Sequence, residues 1–274
     1  MQAFLSYRLP RWAESLAYLC QKIPTNGLGR RLVFLLRKPV LALKRDVVDI
    51  AVLGVNFRLY PSTNLSDKRL LCTPGMLDGV ERDFFARELP SDSWLIDIGA
   101  NIGGYALQLA GQREDLRIHC VEPDPEMASR LRSNIAFNAF ESRIAVSEVA
   151  MAPESGEVTL YLDAANRGKN SLLQQSGEQG ESVSVPALTL EQLLEKSGAQ
   201  GDIALKMDIE GFEHDVLAAY VANVPEGRWP RWVQLEQYRK EPLNQSVELL
   251  LAQGYQIRMR TRMNVILELE QVDG

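Results

Sequence analysis

From Pro90 onward the sequence predicts an α/β fold: a seven-stranded, mostly parallel sheet with helices on both faces. Three observations predict it. Short apolar runs alternate with runs at helical spacing, Gly, Pro or Asp punctuates the junctions, and the chain closes on two consecutive strand-like runs, YQIRMR and VILELE, read as a hairpin that supplies one antiparallel strand.

The elements follow in order. WLIDI (94–98) is the first strand of this unit, and its helix spans about Gly103 to Ala110. LRIHCVE (116–122) is the second strand, and Asp124-Pro125-Glu126 opens the next helix with Asp at the N-cap and Pro at the first helical position, where a missing N–H is harmless. Met127, Leu131 and Ile135 form that helix's buried stripe. RIAVSEVAMA is the third strand. EVTLYL and SVSVPAL read as antiparallel extensions, joined by a polar stretch over 163–181 long enough to form a flap. Thr189 and Gln192 predict a capping box, and Gly198 ends that helix. IALKMDI, GFEHDVLAAYVA, RWVQLEQ and PLNQSVELLLAQG complete the alternation as strand, helix, strand, helix.

Upstream, VVDIAVLGV and NFRLY, split near Gly54, predict a small antiparallel pair. Val80, Phe84, Phe85 and Leu89 predict a helix up to Pro90. The expected division is a basic helical and hairpin extension over 1–79 and a main domain over 80–274. Residues 1–45 hold nine basic side chains against Glu14 alone, a net +8, so with −6 for the whole chain the remainder carries −14. The arm is an expected contact for anionic lipid or a lipid-linked substrate, and the acidic body argues against nucleic acid. LVFLL (32–36), bracketed by arginines, reads as an amphipathic helix that packs on the protein itself.

At 274 residues with 46% apolar and 24% charged side chains, disordered and collagen-like classes are excluded. Cys20, Cys72 and Cys120 are odd in number and widely spaced, which fits neither a disulfide framework nor a paired-thiolate zinc site. The expected location is cytoplasmic, with peripheral contact at the inner face of a membrane through the arm. Arg8, Pro10, Arg11 and Glu14 interrupt what would be a secretory signal, and no run approaches the ~20 apolar residues of a membrane span.

In open α/β sheets ligands sit beyond the carboxyl ends of the strands. The first strand ends in Asp97-Ile-Gly99-Ala-Asn101-Ile-Gly103-Gly104, a turn expected to expose backbone amides to a ligand. Gly99 and Gly104 fill the first and third glycine positions of a dinucleotide fingerprint, but Asn101 takes the second, where a side chain obstructs a pyrophosphate. Asp97 would repel phosphate and attract a cation, which favours S-adenosylmethionine over NAD. The alternative is a tight turn in which Asp97 bonds local amides. Glu122 ends the second strand, where a carboxylate can accept both ribose hydroxyls of an adenosine. The fourth strand carries Lys206-Met-Asp208-Ile-Glu210-Gly-Phe-Glu213-His214, and Glu236 and Gln237 end the fifth beside it. Such carboxylates can bind a metal, orient a hydroxyl or act as base. The plain alternative is an ion pair of Lys206 with Asp208 or Glu236. His119 is expected in the core and His214 at the surface.

In this order and spacing IDIGANIGGYAL, VEPDPEM, KMDIEGFEHDVL and WVQLE resemble the FkbM-type methyltransferases, a branch of the Rossmann-like S-adenosylmethionine-dependent enzymes. The resemblance covers roughly residues 80–270 and touches FRLYPSTNLSDKR. It implies a class I methyltransferase sheet of order 3-2-1-4-5-7-6 and methyl transfer, most often to a hydroxyl of a sugar, glycan or other small metabolite. Asp97, Gly99, Asn101, Gly103, Glu122 and Asp124 match the cofactor motifs, with Asp208 at their edge. Asp208, Glu210 and Glu236 match carboxylates at the acceptor end; Glu210 is the expected base, Asp208 its partner, and Lys206 and Glu236 stand beside them. A divalent cation such as magnesium is implied on Asp208 and Glu236, although Gln237 departs from the acid those relatives carry. The rival readings are an NAD(P)-dependent sugar oxidoreductase or epimerase, disfavoured by Asn101 and the lack of a Tyr-x-x-x-Lys pair, and a non-catalytic binding module.

Overall fold

The computed structural model describes residues 2–24, 26–162, 181–209 and 211–270. Helices α1 (Arg11–Lys22) and α2 (Gly27–Ala42) come first, turning Ala13, Ala17, Cys20, Val33 and Val40 inward. Asn26 caps α2 by accepting from the Gly29 N–H at 2.9 Å. Strands β1 (Val48–Val52) and β2 (Val55–Leu59) pair antiparallel around Leu53-Gly54, whose φ angles of 51° and 91° are those of a two-residue hairpin turn. Across the pair, Arg58 grips Asp49 with two buried bonds of 2.7 and 2.9 Å. Helices α3 (Leu65–Cys72) and α4 (Gly79–Glu88) lead into the main sheet.

That sheet alternates β3 (Trp94–Ile98), α5 (Ala106–Gln112), β4 (Arg117–Val121), α6 (Pro125–Ala136) and β5 (Ile144–Ser147). A second, three-stranded sheet follows, made of β6 (Ala150–Met151), β7 (Gly156–Tyr161) and β8 (Ser182–Leu188). The alternation resumes with α7 (Leu190–Ser197), β9 (Ile203–Met207), α8 (Glu213–Asn223), β10 (Trp232–Glu236), α9 (Gln245–Ala252), β11 (Tyr255–Arg260) and β12 (Asn264–Leu269). The main sheet runs β5-β4-β3-β9-β10-β12-β11, parallel from β5 to β10, with β12 antiparallel to both neighbours. Counted within this sheet the order is 3-2-1-4-5-7-6, as the resemblance implies. Every residue of β9 is buried, as a central parallel strand covered on both faces requires.

Side-chain alternation sends Leu95, Ile118 and Ala204 to one face and Ile96, Val121, Leu205 and Val233 to the other. The second face packs on α7, α8 and α9. The first shares one core with the upstream residues: a continuous cluster joins Leu9, Ala17, Phe57, Leu71 and Phe85 to Leu95 and Ile118. Residues before Gly79 therefore cover the sheet and are not a detached appendage. The capping box at Thr189 and Gln192 forms as expected. RIAVSEVAMA does not form one strand. It breaks after Ser147, so β5 stays at the edge of the main sheet while β6 pairs parallel with β8. EVTLYL and SVSVPAL do pair antiparallel, but inside the second sheet. The stretch expected as a flap lies, up to residue 180, outside the described residues.

Candidate active site

A cavity opens where β3, β4 and β9 end, lined by Ile98 to Ile102, Val121 to Pro123 and Lys206, Asp208 and Ile209. The turn after β3 is closed on itself. Gly99 and Ala100 N–H groups both donate to Val121 O at 3.0 Å, Asn101 N–H to Glu122 Oε2 at 2.7 Å, Ile102 N–H to Asn101 Oδ1 at 2.9 Å and Gly103 N–H to Ala100 O at 2.9 Å. This corrects the sequence expectation that the turn offers these amides to a ligand. All five are committed inside the protein, and a pyrophosphate would find no donor among them. The glycines serve packing. A Cβ on Gly99, at φ 78°, would lie 1.9 Å from Asp208 O, and one on Gly103, at φ 87°, would lie 2.4 Å from Leu107 Cδ1 and 2.6 Å from Leu131 Cδ1. Gly99 and Asn101 line the cavity; Gly103 does not.

Glu122 follows β4 and is 7% exposed. Its Oε2 holds the Asn101 amide and its Oε1 accepts from Asp124 N–H at 3.0 Å, which leaves further lone pairs toward the cavity. Burial pushes this carboxyl up to about 7, against the pull of the two amides. Asp124 is buried and caps α6 through Glu126 N–H at 2.8 Å. It fixes the start of the helix that follows Glu122 and Pro123 and is not itself part of the lining.

Asp97 and Lys206 are register partners on adjacent strands and face the same side. Lys206 Nζ meets Asp97 Oδ1 at 2.9 Å, with Asp97 fully buried. The plain alternative, an ion pair of Lys206 with Asp208 or Glu236, is thus replaced by one with Asp97. The strand ends at Met207, so Asp208 leaves the sheet while Asp97 stays in register. Burial would lower the Lys206 ammonium, but Asp97, Asp208 and Asp78 together hold it above its ordinary value. Asp97 Oδ2 is buried without a partner among the described residues, and Asp97 does not reach the cavity surface, where Lys206 does. Tyr105, also in the lining, donates its hydroxyl to Gln234 Oε1 at 2.8 Å and sets its ring 5.6 Å from Lys206 Nζ.

Of the carboxylates placed at the acceptor end, Asp208 lines the cavity and is exposed, and Glu236 is half-buried at the end of β10. Burial raises the Glu236 carboxyl, Tyr238 opposes this by a hydrogen bond, and Asp208 and Glu213 reinforce it. Glu210 lies outside the described residues. Glu213 ties down the turn, accepting from Ile209 N–H at 3.0 Å and Gly211 N–H at 3.1 Å. Among the described residues no group of three or more His, Cys, Asp or Glu is arranged to hold a metal, so the cation implied on Asp208 and Glu236 finds no support there. Gln237 explains itself locally. Its Nε2 donates to Tyr238 O and Pro242 O at 3.1 and 3.0 Å, and its Oε1 accepts from Asn244 N–H at 2.7 Å. His119 is a core residue bonded to Ser147 Oγ at 2.9 Å, as expected, whereas His214 is half-buried and not at the surface.

The sequence reading missed the wall contributed from upstream: Ser66, Leu70, Leu77 and Asp78 line the same cavity. Asn64, 2% exposed, donates from Nδ2 to Asn101 Oδ1 at 3.0 Å and so joins the start of α3 to the turn after β3. Asp78 takes a left-handed backbone, φ 47°, and its Oδ1 accepts from Asn264 Nδ2 at 2.8 Å. Burial, with Glu81 and Asp208, pushes its carboxyl up to about 6, against Lys206 and Asn264. The only hint was that the resemblance extended to FRLYPSTNLSDKR, which contains Asn64 and Ser66.

Residues 97–257, more than half of the chain, match the profile of the methyltransferase FkbM domain. The chain is 26% identical over 172 residues to the 31-O-demethyl-FK506 methyltransferase FkbM of Streptomyces tacrolimicus, covering 53% of this chain and 64% of that protein. It is 26% identical over 141 residues to the 2-O-methyltransferase NoeI of Sinorhizobium fredii (strain NBRC 101917 / NGR234), covering 46% and 57%. The aligned region thus spans less than two thirds of either relative. Among solved structures, the precorrin-6y C5,15-methyltransferase of Geobacter metallireducens GS-15 superposes with a TM-score of 0.44 at 12% identity, covering 72% of this chain and 88% of that one. M. capricolum TrmK in complex with S-adenosyl-homocysteine gives 0.40 at 8% identity, covering 70% and 68%. The profile match and the two curated relatives agree: the chain belongs to the FkbM methyltransferase family.

Proposed function

We propose that the chain transfers a methyl group from S-adenosylmethionine to a hydroxyl of a sugar, glycan or glycosylated small molecule. The observation that carries the choice of donor is the closed turn: five consecutive amides, Gly99 to Gly103, are already bonded inside the protein, that of Asn101 by Glu122. A phosphate-free adenosine ligand suits this site. Glu122 can accept ribose hydroxyls, and Val121, Val149, Met151 and Leu160 give apolar walls for a purine. When bound, S-adenosylmethionine supplies an electrophilic methyl on a sulfonium, and Asp208 and Asp78 surround that positive charge with carboxylates.

The hydroxyl must also lose its proton. Among the described residues Asp78 and Asp208 are the carboxylates in the lining able to take it, and a group poised near 6 is suited to general-base work. Glu210, next but one to Asp208 in sequence, belongs to the same proposal. Lys206, held by Asp97, keeps the two aspartates from repelling one another. The choice of a hydroxyl as acceptor is supported by two relatives whose names specify O-methyl transfer, and the sugar or glycan class follows from the family resemblance alone.

Calorimetric titration with S-adenosylhomocysteine and, separately, NADH tests the donor. Saturable binding of the former alone is expected, and Glu122→Ala should weaken it about 10- to 100-fold, the worth of charge-assisted hydrogen bonds to one carboxylate. The melting temperature of the variant, measured alongside, separates lost binding from a folding defect. Binding of NADH without S-adenosylhomocysteine, or an unchanged affinity in a folded Glu122→Ala protein, overturns the proposal.

A further inference from the structure

We infer that helices α1 and α2 form a docking surface for an anionic lipid bilayer. Their inward faces are spent on the core, but their outward faces remain apolar. Leu28, Leu32 and Leu35, at i, i+4 and i+7 on α2, are 81%, 48% and 62% exposed, and Trp12 and Leu19, seven apart on α1, are 53% and 52% exposed. Of the twelve large apolar side chains exposed among the described residues, eight fall between Leu5 and Leu35. Scattered exposed leucines need no explanation, whereas a concentration on two adjacent helices does.

Charge selects the occupant. On α2 the stripe is flanked by Arg31 and Lys38, and Arg11 and Lys22 flank the α1 pair; none has an ion partner among the described residues. Residues 1–45 carry +8 and the rest −14. A second copy meeting this surface face to face would oppose like charges, whereas an anionic bilayer satisfies the leucines and the cations together. The acidic body is repelled by the same bilayer, so the protein would dock arm first. No helix among the described residues is long and apolar enough to cross a membrane, so the contact is peripheral. The arm is also tied to the cavity wall: Gln21 of α1 donates to Leu71 O of α3 at 3.1 Å, and α3 supplies Ser66 and Leu70 to the lining. The surface is independent of the reaction proposed above.

The test is co-sedimentation of the full chain with vesicles of phosphatidylcholine alone or with about a third phosphatidylglycerol. Binding is expected only to the anionic vesicles, and it should fall steeply with added salt. Substituting Arg11, Arg31 and Lys38 by Gln should weaken partition on the order of 100-fold. Leu32→Ser with Leu35→Ser should weaken it too, with the melting temperature of both variants near that of the parent, since all five side chains are exposed. Three results would overturn the inference: no binding to anionic vesicles at low salt, equal binding to neutral ones, or a vesicle-free dimer that the leucine variant dissolves.

Discussion

Gln237 sits where the resemblance implies an acid, and its three bonds give a reason for an amide here. Its amide nitrogen serves two carbonyls, Tyr238 O and Pro242 O, and its oxygen serves the Asn244 N–H, so one 3%-exposed side chain closes the loop between β10 and α9. A carboxylate has no hydrogen to donate and would face both carbonyls buried. Gln237→Glu should therefore destabilise the protein by about 1–3 kcal/mol, the usual cost of leaving buried polar groups unpaired. It should also gain no magnesium binding, because the side chain at 237 is directed into the loop between β10 and α9, onto Tyr238, Pro242 and Asn244, and not toward Asp208. Chemical denaturation and a magnesium titration read the two halves; unchanged stability would show that the bonds carry nothing, and tight magnesium binding would restore the metal reading. The same logic runs through Gly99 and Gly103, which a motif search assigns to ligand approach. In the fold they admit the Asp208 carbonyl and two leucine side chains instead.

At the level of elements, α3 is the part of the site that lies furthest from the motifs in sequence. Asn64 does two tasks at once: its Oδ1 caps α3 through Ser66 N–H at 2.9 Å, and its Nδ2 holds Asn101 in the turn after β3. Asn64→Ala removes both, and loss of a cap alone costs about 1 kcal/mol. Asn26 caps α2 in the same way but touches nothing in the cavity lining. The two alanine variants should thus lose similar stability in thermal melts, while only Asn64→Ala weakens S-adenosylhomocysteine binding. Equal effects on binding would mean that α3 matters to the site only through global stability. The contrast also marks what could be read in advance. Each main-sheet strand, the Asp124 cap and the Thr189 box are encoded locally, by alternation and capping chemistry, and were legible. The break of RIAVSEVAMA into two sheets, the Asp97 partner of Lys206 and the wall from α3 are decided by register and packing between residues as far as 109 apart, which no local pattern records. The turn's amides belong with these, since their partners Val121 and Glu122 come from the next strand.

The whole molecule separates charge along its chain and buries several carboxyls in surroundings that favour their neutral form. Asp67 and Glu122 are pushed up to about 7 and Asp78 to about 6, each chiefly by burial. A carboxyl with a raised folded value keeps its proton in the folded state after the unfolded chain has released it. Its contribution to stability is therefore complete below the unfolded value and is lost as pH rises through the folded one. His119 runs the other way, since burial lowers it and its contribution fades as pH falls below about 6.5, its ordinary value. Below neutrality the two trends oppose each other; from about 6.5 to 8 only the carboxyls act, so the unfolding free energy should decline across that range. Asp67 is the group on which to test this. It is fully buried, Oδ2 accepts from Tyr60 N–H at 2.7 Å, Oδ1 has no partner, and it does not line the cavity. Asp67→Asn keeps the accepting oxygen and removes the buried ionisation, so it should raise stability at pH 8 more than at pH 6 and flatten the slope between them. Urea melts at half-unit steps of pH measure both. A slope identical to that of the parent would mean that Asp67 already ionises in the folded state near its ordinary value, and that water or local opening reaches the start of α3.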